Sequence, residues 1–115
     1  MRNDRENVIV DLTFKFSLLL LDYCELLESN RKYILARQLL KSGTSIGANT
    51  REAQNAESKT DFIHKFKIAA KEADEAQYWL LLCKESPHYP DPGKLIDDLQ
   101  IIIKIISKII SSSKS

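Results

Sequence analysis

The chain has 115 residues, of which 43% are hydrophobic, so it can form a core without disulfide or metal staples. Its 17 Lys and Arg residues nearly balance its 16 Asp and Glu residues. This balance excludes the overall basic excess of a dedicated nucleic-acid binder, while a local basic patch stays open. Three glycines and three prolines are few, and the abundance of helix-forming residues predicts a single all-α domain over residues 1–115.

The first predicted helix spans about residues 4–28 and is apolar over more than one face. Its core stripe is predicted as Val8 or Ile9, Leu12, Phe16, Leu19, Tyr23 and Leu26. Further apolar residues lie off the stripes of this helix and of the last helix. Scattered apolar residues are normal on a surface, but clustering on the two terminal helices favours a subunit interface and hence a homo-oligomer. The predicted interface residues are Leu18, Leu21, Ile101 and Ile105.

The second predicted helix, about residues 31–54, carries an unusual polar stripe, and Ser29 or Asn30 is its candidate N-cap. The stripe recurs at steps of four and three, which places it on one face: Gln38, Ser42, Ser45, Asn49 and Glu52. Glu72 and Glu75 on the third helix are possible partners. Either these faces meet in a hydrogen-bonded layer that fixes register, or the stripe lines an oligomer interface, faces water, or binds a ligand or partner.

Basic residues also cluster around the second helix: Arg31, Lys32, Arg37, Lys41 and Arg51. Arg37 and Lys41 are four positions apart and therefore share a face. An ordinary solvated face and a contact surface for RNA or DNA both fit this pattern. The same helix contains Gly43 and Gly47, whose spacing indicates close packing against a neighbouring helix or a hinge.

The third predicted helix spans about residues 58–85. Ser58 is its N-cap, Asp61 completes a capping box, and the helix stops before Pro87. Its stripe is predicted as Phe62, Phe66, Ala69, Ala73, Ala76, Leu80 and Cys83. The fourth helix, about residues 92–111, is predicted to start at Pro92 with Asp91 as its N-cap. Four such helices with short connections predict an antiparallel up-down-up-down four-helix bundle.

Nothing in the sequence is typical of a catalytic site. A di-metal bundle enzyme needs Glu-x-x-His motifs, but His64 follows Asp61 and His88 lies in a loop beside prolines. Cys24 and Cys83 lie in apolar stretches, which predicts reduced core thiols, with a bridge between them as the alternative. We therefore expect no enzymatic activity, no cofactor and no metal.

No targeting segment is evident. The N-terminal residues carry both charge signs and precede no cleavable apolar run. The apolar runs 18–21 and 101–103 are far shorter than the ~20 residues of a membrane span. The sequence predicts a soluble, cytoplasmic protein.

Two segments resemble a known family. Residues 38–53 are similar to the signature QLxRSxxSIxANIxE of small bacterial four-helix bundle proteins, some of which are encoded in intervening sequences of 23S ribosomal RNA genes. Residues 58–82 resemble the SKxDFIxKLxIAxKEAxExxYWL segment of the same family, with Thr50 and Gln77 as mild departures. The resemblance implies a four-helix bundle, a cyclic pentamer in some members, and a link to ribosomal RNA or nucleic-acid-processing machinery. A related bundle, more basic than this chain, is the accessory protein of diversity-generating retroelements.

Two functions follow from the sequence as hypotheses. The first is an oligomeric scaffold with ribosomal RNA or a ribonucleoprotein as its partner, which requires Arg37, Lys41 and Arg51 on one accessible face. The second is a self-assembling adaptor that binds another protein through its apolar or polar stripe and has no nucleic-acid partner.

Overall fold

The computed structural model describes residues 4–114, with side chains described from Val8 onward. Over this range the chain forms four α-helices and no strand: α1 (Asp4–Ser29), α2 (Tyr33–Ala53), α3 (Lys59–Glu85) and α4 (Leu95–Lys114). Each helix packs against two neighbours, in the cyclic order α1, α2, α3, α4, and the described parts of diagonal helices have no Cα pair within 8 Å. The bundle is 45 Å long and 19 Å wide in both other directions. The predicted antiparallel four-helix bundle is confirmed.

The buried stripe of α1 differs from the predicted one. The residues that face the core are Ile9, Thr13, Phe16, Leu20, Cys24 and Leu27, with Tyr23 beside them. Leu19 and Leu26, which were predicted to be buried, are 38% and 44% exposed. α1 has apolar residues on both sides of its buried stripe. A stripe shifted by one position therefore fits the helical periodicity equally well, and the sequence pattern cannot choose between the two. Only the packing of α1 against both α2 and α4 selects the buried stripe.

The stripe of α3 follows the sequence more closely. All its predicted members are buried except Phe62, which is half-buried and packs edge-to-face on Phe66, with ring centroids 5.0 Å apart. Three of its residues are alanines (Ala69, Ala73 and Ala76), and α2 presents the buried Ser42 in return. Small side chains let two backbones approach, and α2 and α3 make the most extensive contact in the bundle.

Ser58 caps α3 as predicted, but the Asp61 carboxylate bonds the Glu57 amide rather than the Ser58 amide of a capping box. The starts of α2 and α4 also differ from the prediction. The Asp61 amide donates to Ser58 Oγ at 3.0 Å, and the Asp61 carboxylate accepts from the Glu57 amide at 3.2 Å. Ser29 and Asn30 do not cap α2, since their side chains donate back to the carbonyl oxygen of Leu26 at 2.8 and 2.9 Å. They therefore close the C-terminus of α1 instead.

The α1–α2 and α3–α4 connections explain why α2 and α4 begin later than predicted. Arg31 adopts a left-handed conformation, with φ of 65°, so α2 begins only at Tyr33. Asp91 accepts a hydrogen bond from the Gly93 amide at 3.1 Å, and Gly93 has φ of 61°. This turn keeps Pro92 out of the helix, so α4 begins at Leu95 rather than at Pro92.

The two cysteines are free and buried. Cys24 lies on α1 and Cys83 on α3, which are diagonal helices with no described Cα pair within 8 Å. A disulfide requires Cα atoms closer than about 7 Å, so the alternative of a Cys24–Cys83 bridge is excluded in this fold.

Candidate functional site

Three of the predicted basic residues lie on one outward line of α2, which we call the basic line. Arg37, Lys41 and Arg51 recur there with Thr44 and Ala48 at steps of four and three, and all three cations are exposed. The opposite side of the same helix is anchored by buried residues, among them Leu39, Ile46 and Ala53. At 1.5 Å per residue, the basic line is about 21 Å long.

The basic line has no acidic neighbour on its own helix. The only acidic residue of α2, Glu52, lies on the side that faces α3, where its carboxylate accepts a hydrogen bond from the Lys65 ammonium at 3.0 Å. That hydrogen bond and the Glu52 charge raise the pKa of Lys65. Among the described residues, Arg37, Lys41 and Arg51 form no salt bridge. All three are therefore unpaired there, although Glu25 and Glu28 of α1 line the same depression as Arg37.

The other two predicted basic residues, Arg31 and Lys32, lie just before the first residue of α2. Arg31 is exposed in the turn that precedes the helix. The Lys32 ammonium lies 4.8 Å from the ring centroid of Tyr89, a cation–π contact that ties this turn to the loop between α3 and α4. The structure therefore brings three of the five basic residues together and gives Lys32 a structural partner.

The polar stripe of α2 faces α3 but forms no hydrogen-bonded layer between the described parts of the two helices, apart from the Glu52–Lys65 pair. Ser42 donates to the Gln38 carbonyl oxygen at 3.1 Å, Ser45 to that of Lys41 at 2.7 Å, and Asn49 to that of Ser45 at 2.9 Å. These side chains satisfy their polar groups on their own helix.

In the described part of the chain, neither acidic residue of α3 that was predicted as a partner forms a hydrogen bond with the stripe. Glu75 is exposed and accepts from the Trp79 indole N–H at 3.2 Å, and Glu72 is half-buried. Since α2 and α3 make the most extensive contact in the bundle, the stripe serves as a seam of small residues. It leaves Gln38 exposed at one end and Glu52 at the other.

The predicted interface residues do not all lie on one surface. Leu18 and Ile101 are 48% and 52% exposed and line one groove between α1 and α4, of about 410 Å³, which we call the α1–α4 groove. Its apolar walls include Leu12, Phe16 and Leu19, and its charged residues are Lys15, Lys94 and Asp98. Leu21 is 44% exposed but lies on the other flank of α1, beside Ala36 and Arg37 of α2. Ile105 is half-buried and packs against the core.

Sequence reasoning missed a second exposed apolar surface, on the outer side of α3. Tyr78 is 58% exposed, and Leu81 and Leu82 are each 42% exposed. We call these three residues the α3 ridge. The signal was present in the sequence, because all three lie off the buried stripe that contains Ala76, Leu80 and Cys83.

Metal-ligating side chains and thiols are the two kinds of chemical group to locate among the described residues. No three of their His, Cys, Asp or Glu side chains are placed to hold a metal ion. Burial, with help from the Glu28 charge, raises the pKa of Cys24 to about 12, and burial also raises the pKa of Cys83. Both thiols therefore stay protonated near neutral pH and are poor nucleophiles. No described helix has the length and continuous apolar character that crossing a bilayer requires.

Comparison with known proteins finds a matching family and matching solved structures. The family described as "23S rRNA-intervening sequence protein" matches residues 5–112. A solved structure from Bacteroides thetaiotaomicron, described as a protein of unknown function from the S23 ribosomal protein family, superposes with a TM-score of 0.87. It is 36% identical, and the match covers 93% of this chain and 98% of that one. No curated protein sequence matches the chain. The family match spans nearly the whole chain, so the protein belongs to the 23S rRNA-intervening sequence protein family.

Proposed function

We propose that this protein is a non-catalytic, self-assembling bundle that binds RNA phosphates through the basic line of α2 and acts as a scaffold for ribosomal RNA or a ribonucleoprotein. The observation that carries this proposal is the line itself. Arg37, Lys41 and Arg51 are exposed along about 21 Å of one helix, and none of them is paired with a carboxylate of the described side chains. Phosphate contacts supply most of the affinity of such interfaces.

Assembly matters to this function because one copy offers few contacts. The formal net charge of the whole chain is only +1, so long-range attraction to RNA is weak. Three cations on one helix give modest affinity on their own. Several copies that present the same line would bind one RNA with a much higher avidity, since each later contact becomes intramolecular.

The family supports an RNA partner by its description alone, which names an intervening sequence of 23S ribosomal RNA. The Bacteroides thetaiotaomicron structure is described as having unknown function, so it supports the fold and not the activity. The RNA-binding role therefore rests on the basic line.

A second candidate is a protein-interaction adaptor without nucleic-acid binding. The observation that favours it is the apolar exposure of α1. Six of the twelve large hydrophobic residues that are exposed in the described chain lie on this one helix: Val8, Phe14, Leu18, Leu19, Leu21 and Leu26. Such a surface is typical of protein partners rather than of RNA.

Charge reversal on two faces separates the candidates. The variant Arg37→Glu/Lys41→Glu reverses the basic line, and the matched control Lys67→Glu/Lys71→Glu makes the same change at two exposed lysines four positions apart on α3. Binding is measured by fluorescence anisotropy with a labelled RNA hairpin, and assembly by light scattering. We expect the first variant to lose RNA binding while the control keeps it and both assemble like the wild type. Equal losses, or no RNA binding by the wild type, would refute the RNA role and favour the adaptor.

A further inference from the structure

A depression between α1 and α2 adjoins the basic line, and we call it the α1–α2 depression. Its volume is about 190 Å³, and three members of the basic line form part of its α2 wall: Thr44, Ala48 and Arg51. It is smaller than the ~300 Å³ at which sites for drug-sized ligands begin, so it suits one ring system rather than a whole ligand. A group bound there lies directly beside any phosphates held along α2.

The α1 wall of this depression carries an exposed aromatic ring. Phe14 is 55% exposed and lines the depression together with Val10, Thr13 and Ser17. Among the large hydrophobic residues of α1 that are exposed in the described chain, Phe14 alone is aromatic. An aliphatic side chain serves any apolar partner, whereas an exposed ring offers a flat face on which a nucleobase can stack.

Small residues of α2 leave space beside this ring. Gly47 has no side chain and Ala48 has only a methyl group, so a longer side chain at either position would fill the depression. The walls also carry hydroxyl groups. Thr44 donates to the Leu40 carbonyl oxygen at 2.7 Å, which leaves its own oxygen able to accept a hydrogen bond from the edge of a base.

The charge at the depression is positive. Among the described residues, Arg51 is the only charged one that lines it. Two acidic residues adjoin its walls in sequence, and each is paired at 3.0 Å: Asp11 with Lys15, and Glu52 with Lys65. An aromatic face, an acceptor and one cation are therefore combined at one place, which suits a base together with its phosphate.

The other end of the basic line lacks this combination. There Arg37 lines a depression that also contains Glu25 and Glu28 of α1, whose carboxylates repel phosphate. No aromatic residue of the described chain lines that depression. The geometry therefore restricts base binding to the Arg51 end of α2.

We propose that the α1–α2 depression binds an unpaired base of single-stranded RNA, which stacks on Phe14 while an adjoining phosphate contacts Arg51. This inference rests on the proposed function and specifies the class of RNA that the basic line binds. A base inside a double helix is stacked between its neighbours and cannot reach the ring. Phe14 therefore contributes to the binding of loops and single strands and not to the binding of duplexes.

Binding to a single-stranded oligoribonucleotide and to a blunt RNA duplex of the same length tests this distinction. Phe14→Leu keeps an apolar side chain but removes the aromatic face, and Tyr78→Leu makes the same change at a 58% exposed ring on α3. By fluorescence anisotropy, we expect Phe14→Leu to weaken single-strand binding about fivefold or more and to leave duplex binding unchanged. Phe14→Tyr, which keeps a ring, and the Tyr78→Leu control should both bind like the wild type.

Occlusion of the depression provides an independent test. Ala48→Leu removes no contact and introduces a good helix former at an exposed position, so it fills the space beside Phe14 without disturbing α2. It should weaken single-strand binding selectively, as Phe14→Leu does. Circular dichroism and light scattering check that both variants keep the fold and the assembly of the wild type.

A photoreactive base identifies the contact directly. 5-Iodouridine in the single strand forms a covalent bond on irradiation with an aromatic side chain against which it lies, and mass spectrometry of the digested protein locates that bond. We expect the cross-linked peptide to contain Phe14. A cross-link confined to Tyr78 or Trp79 would overturn the proposed site.

The remaining outcomes separate this inference from the proposed function. If the wild type binds RNA but Phe14→Leu changes single-strand and duplex binding equally, or changes neither, base stacking is refuted while the basic line stands. A changed light-scattering mass of Phe14→Leu would assign the ring to a contact between copies and overturn the base site. A wild type that binds neither RNA would refute the proposed function and this inference together.

Discussion

The Tyr23 hydroxyl donates a 2.6 Å hydrogen bond to the carbonyl oxygen of Pro90, which joins α1 to the loop between α3 and α4 across 67 sequence positions. Tyr23 is only 6% exposed, so its hydroxyl reaches this carbonyl from the edge of the core. The bond holds the loop against α1 at the end of the bundle where the Lys32–Tyr89 contact also lies.

Removing this hydroxyl should weaken the bundle. We expect Tyr23→Phe to lower the free energy of unfolding by about 1 kcal/mol, the usual net value of one hydrogen bond. Urea unfolding followed by circular dichroism measures the change. Tyr33→Phe is the matched control, because the Tyr33 side chain is 53% exposed. Equal stability of the two variants would mean that the bond to Pro90 contributes nothing.

Stability should also fall at alkaline pH. Burial raises the pKa of Tyr23 and raises that of Cys24 to about 12, whereas the unfolded groups ionise near 10.0 and 9.0. Above pH 9 the folded state therefore holds more protons than the unfolded state, so the free energy of unfolding decreases as pH rises. For Cys24 this contribution is complete below pH 9 and is lost as pH rises toward about 12.

Urea midpoints measured at several values between about pH 8 and pH 11 test this dependence. Tyr23→Phe and Cys24→Ala should each show a shallower alkaline decline than the wild type, although both start from lower stability. A wild-type midpoint that stays constant over this range would contradict the burial argument.

The two glycines of α2 should respond oppositely to alanine. A Cβ atom at Gly43 would overlap the side chain of Leu20, which is fully buried and has little room to move. We expect Gly43→Ala to destabilise by about 1–2 kcal/mol through overpacking, despite the better helix propensity of alanine. A Cβ at Gly47 would lie 3.5 Å from Thr13, an ordinary contact, so Gly47→Ala should stabilise by about 0.5–1 kcal/mol.

Thermal and urea unfolding of the two alanine variants measure this contrast. If both variants changed the free energy of unfolding in the same direction, helix propensity or loss of a hinge would outweigh packing. If Gly43→Ala destabilised and Gly47→Ala stabilised the protein, Gly43 would be required for the close packing of α1 against α2.

The sequence predicted the bundle and the buried stripe of α3 because these depend on local patterns. Ser58 and Asp61 can cap only the helix that follows them. The alanines of the α3 stripe indicate a close approach of a neighbouring helix. The start of α2 was harder to predict, because Ser29 and Asn30 fit two local roles equally well. Their side chains can begin α2 or end α1, and the left-handed Arg31 between the helices decides for the second.

The candidate site was also predictable only where local spacing decides which residues share a face. The spacing of Arg37 and Lys41 placed them on one face, and Arg51 continues the same steps of four and three. Lys32 lies five positions before Arg37, so the steps of four and three already separate it from this line. Its contact with Tyr89, 57 positions away, could not be predicted from local spacing. The α3 ridge was not predicted, although Tyr78, Leu81 and Leu82 all lie off the predicted stripe of α3.

Two buried threonines should respond differently to valine. Thr50 Oγ1 is buried and finds no hydrogen-bond partner in the described structure, whereas Thr13 Oγ1 donates to the Ile9 carbonyl oxygen at 2.8 Å. Thr50→Val removes an unsatisfied hydroxyl and should stabilise by about 1 kcal/mol. Thr13→Val loses a bond and should destabilise by about 1 kcal/mol. A destabilised Thr50→Val variant in the urea assay would indicate that the Thr50 hydroxyl has a partner in solution.

The salt dependence of RNA binding tests the number of contacts in the basic line. If Arg37, Lys41 and Arg51 each neutralise one phosphate, the logarithm of the binding constant should fall with the logarithm of salt concentration with a slope of about −2 to −3 per bound copy. Arg51→Gln removes one contact and should make this slope shallower by about 0.7–0.9. Anisotropy titrations with the labelled RNA hairpin at several salt concentrations give both slopes. Lys67→Gln, the control on α3, should leave the slope unchanged, and a slope near zero for the wild type would mean that the basic line does not contact phosphates.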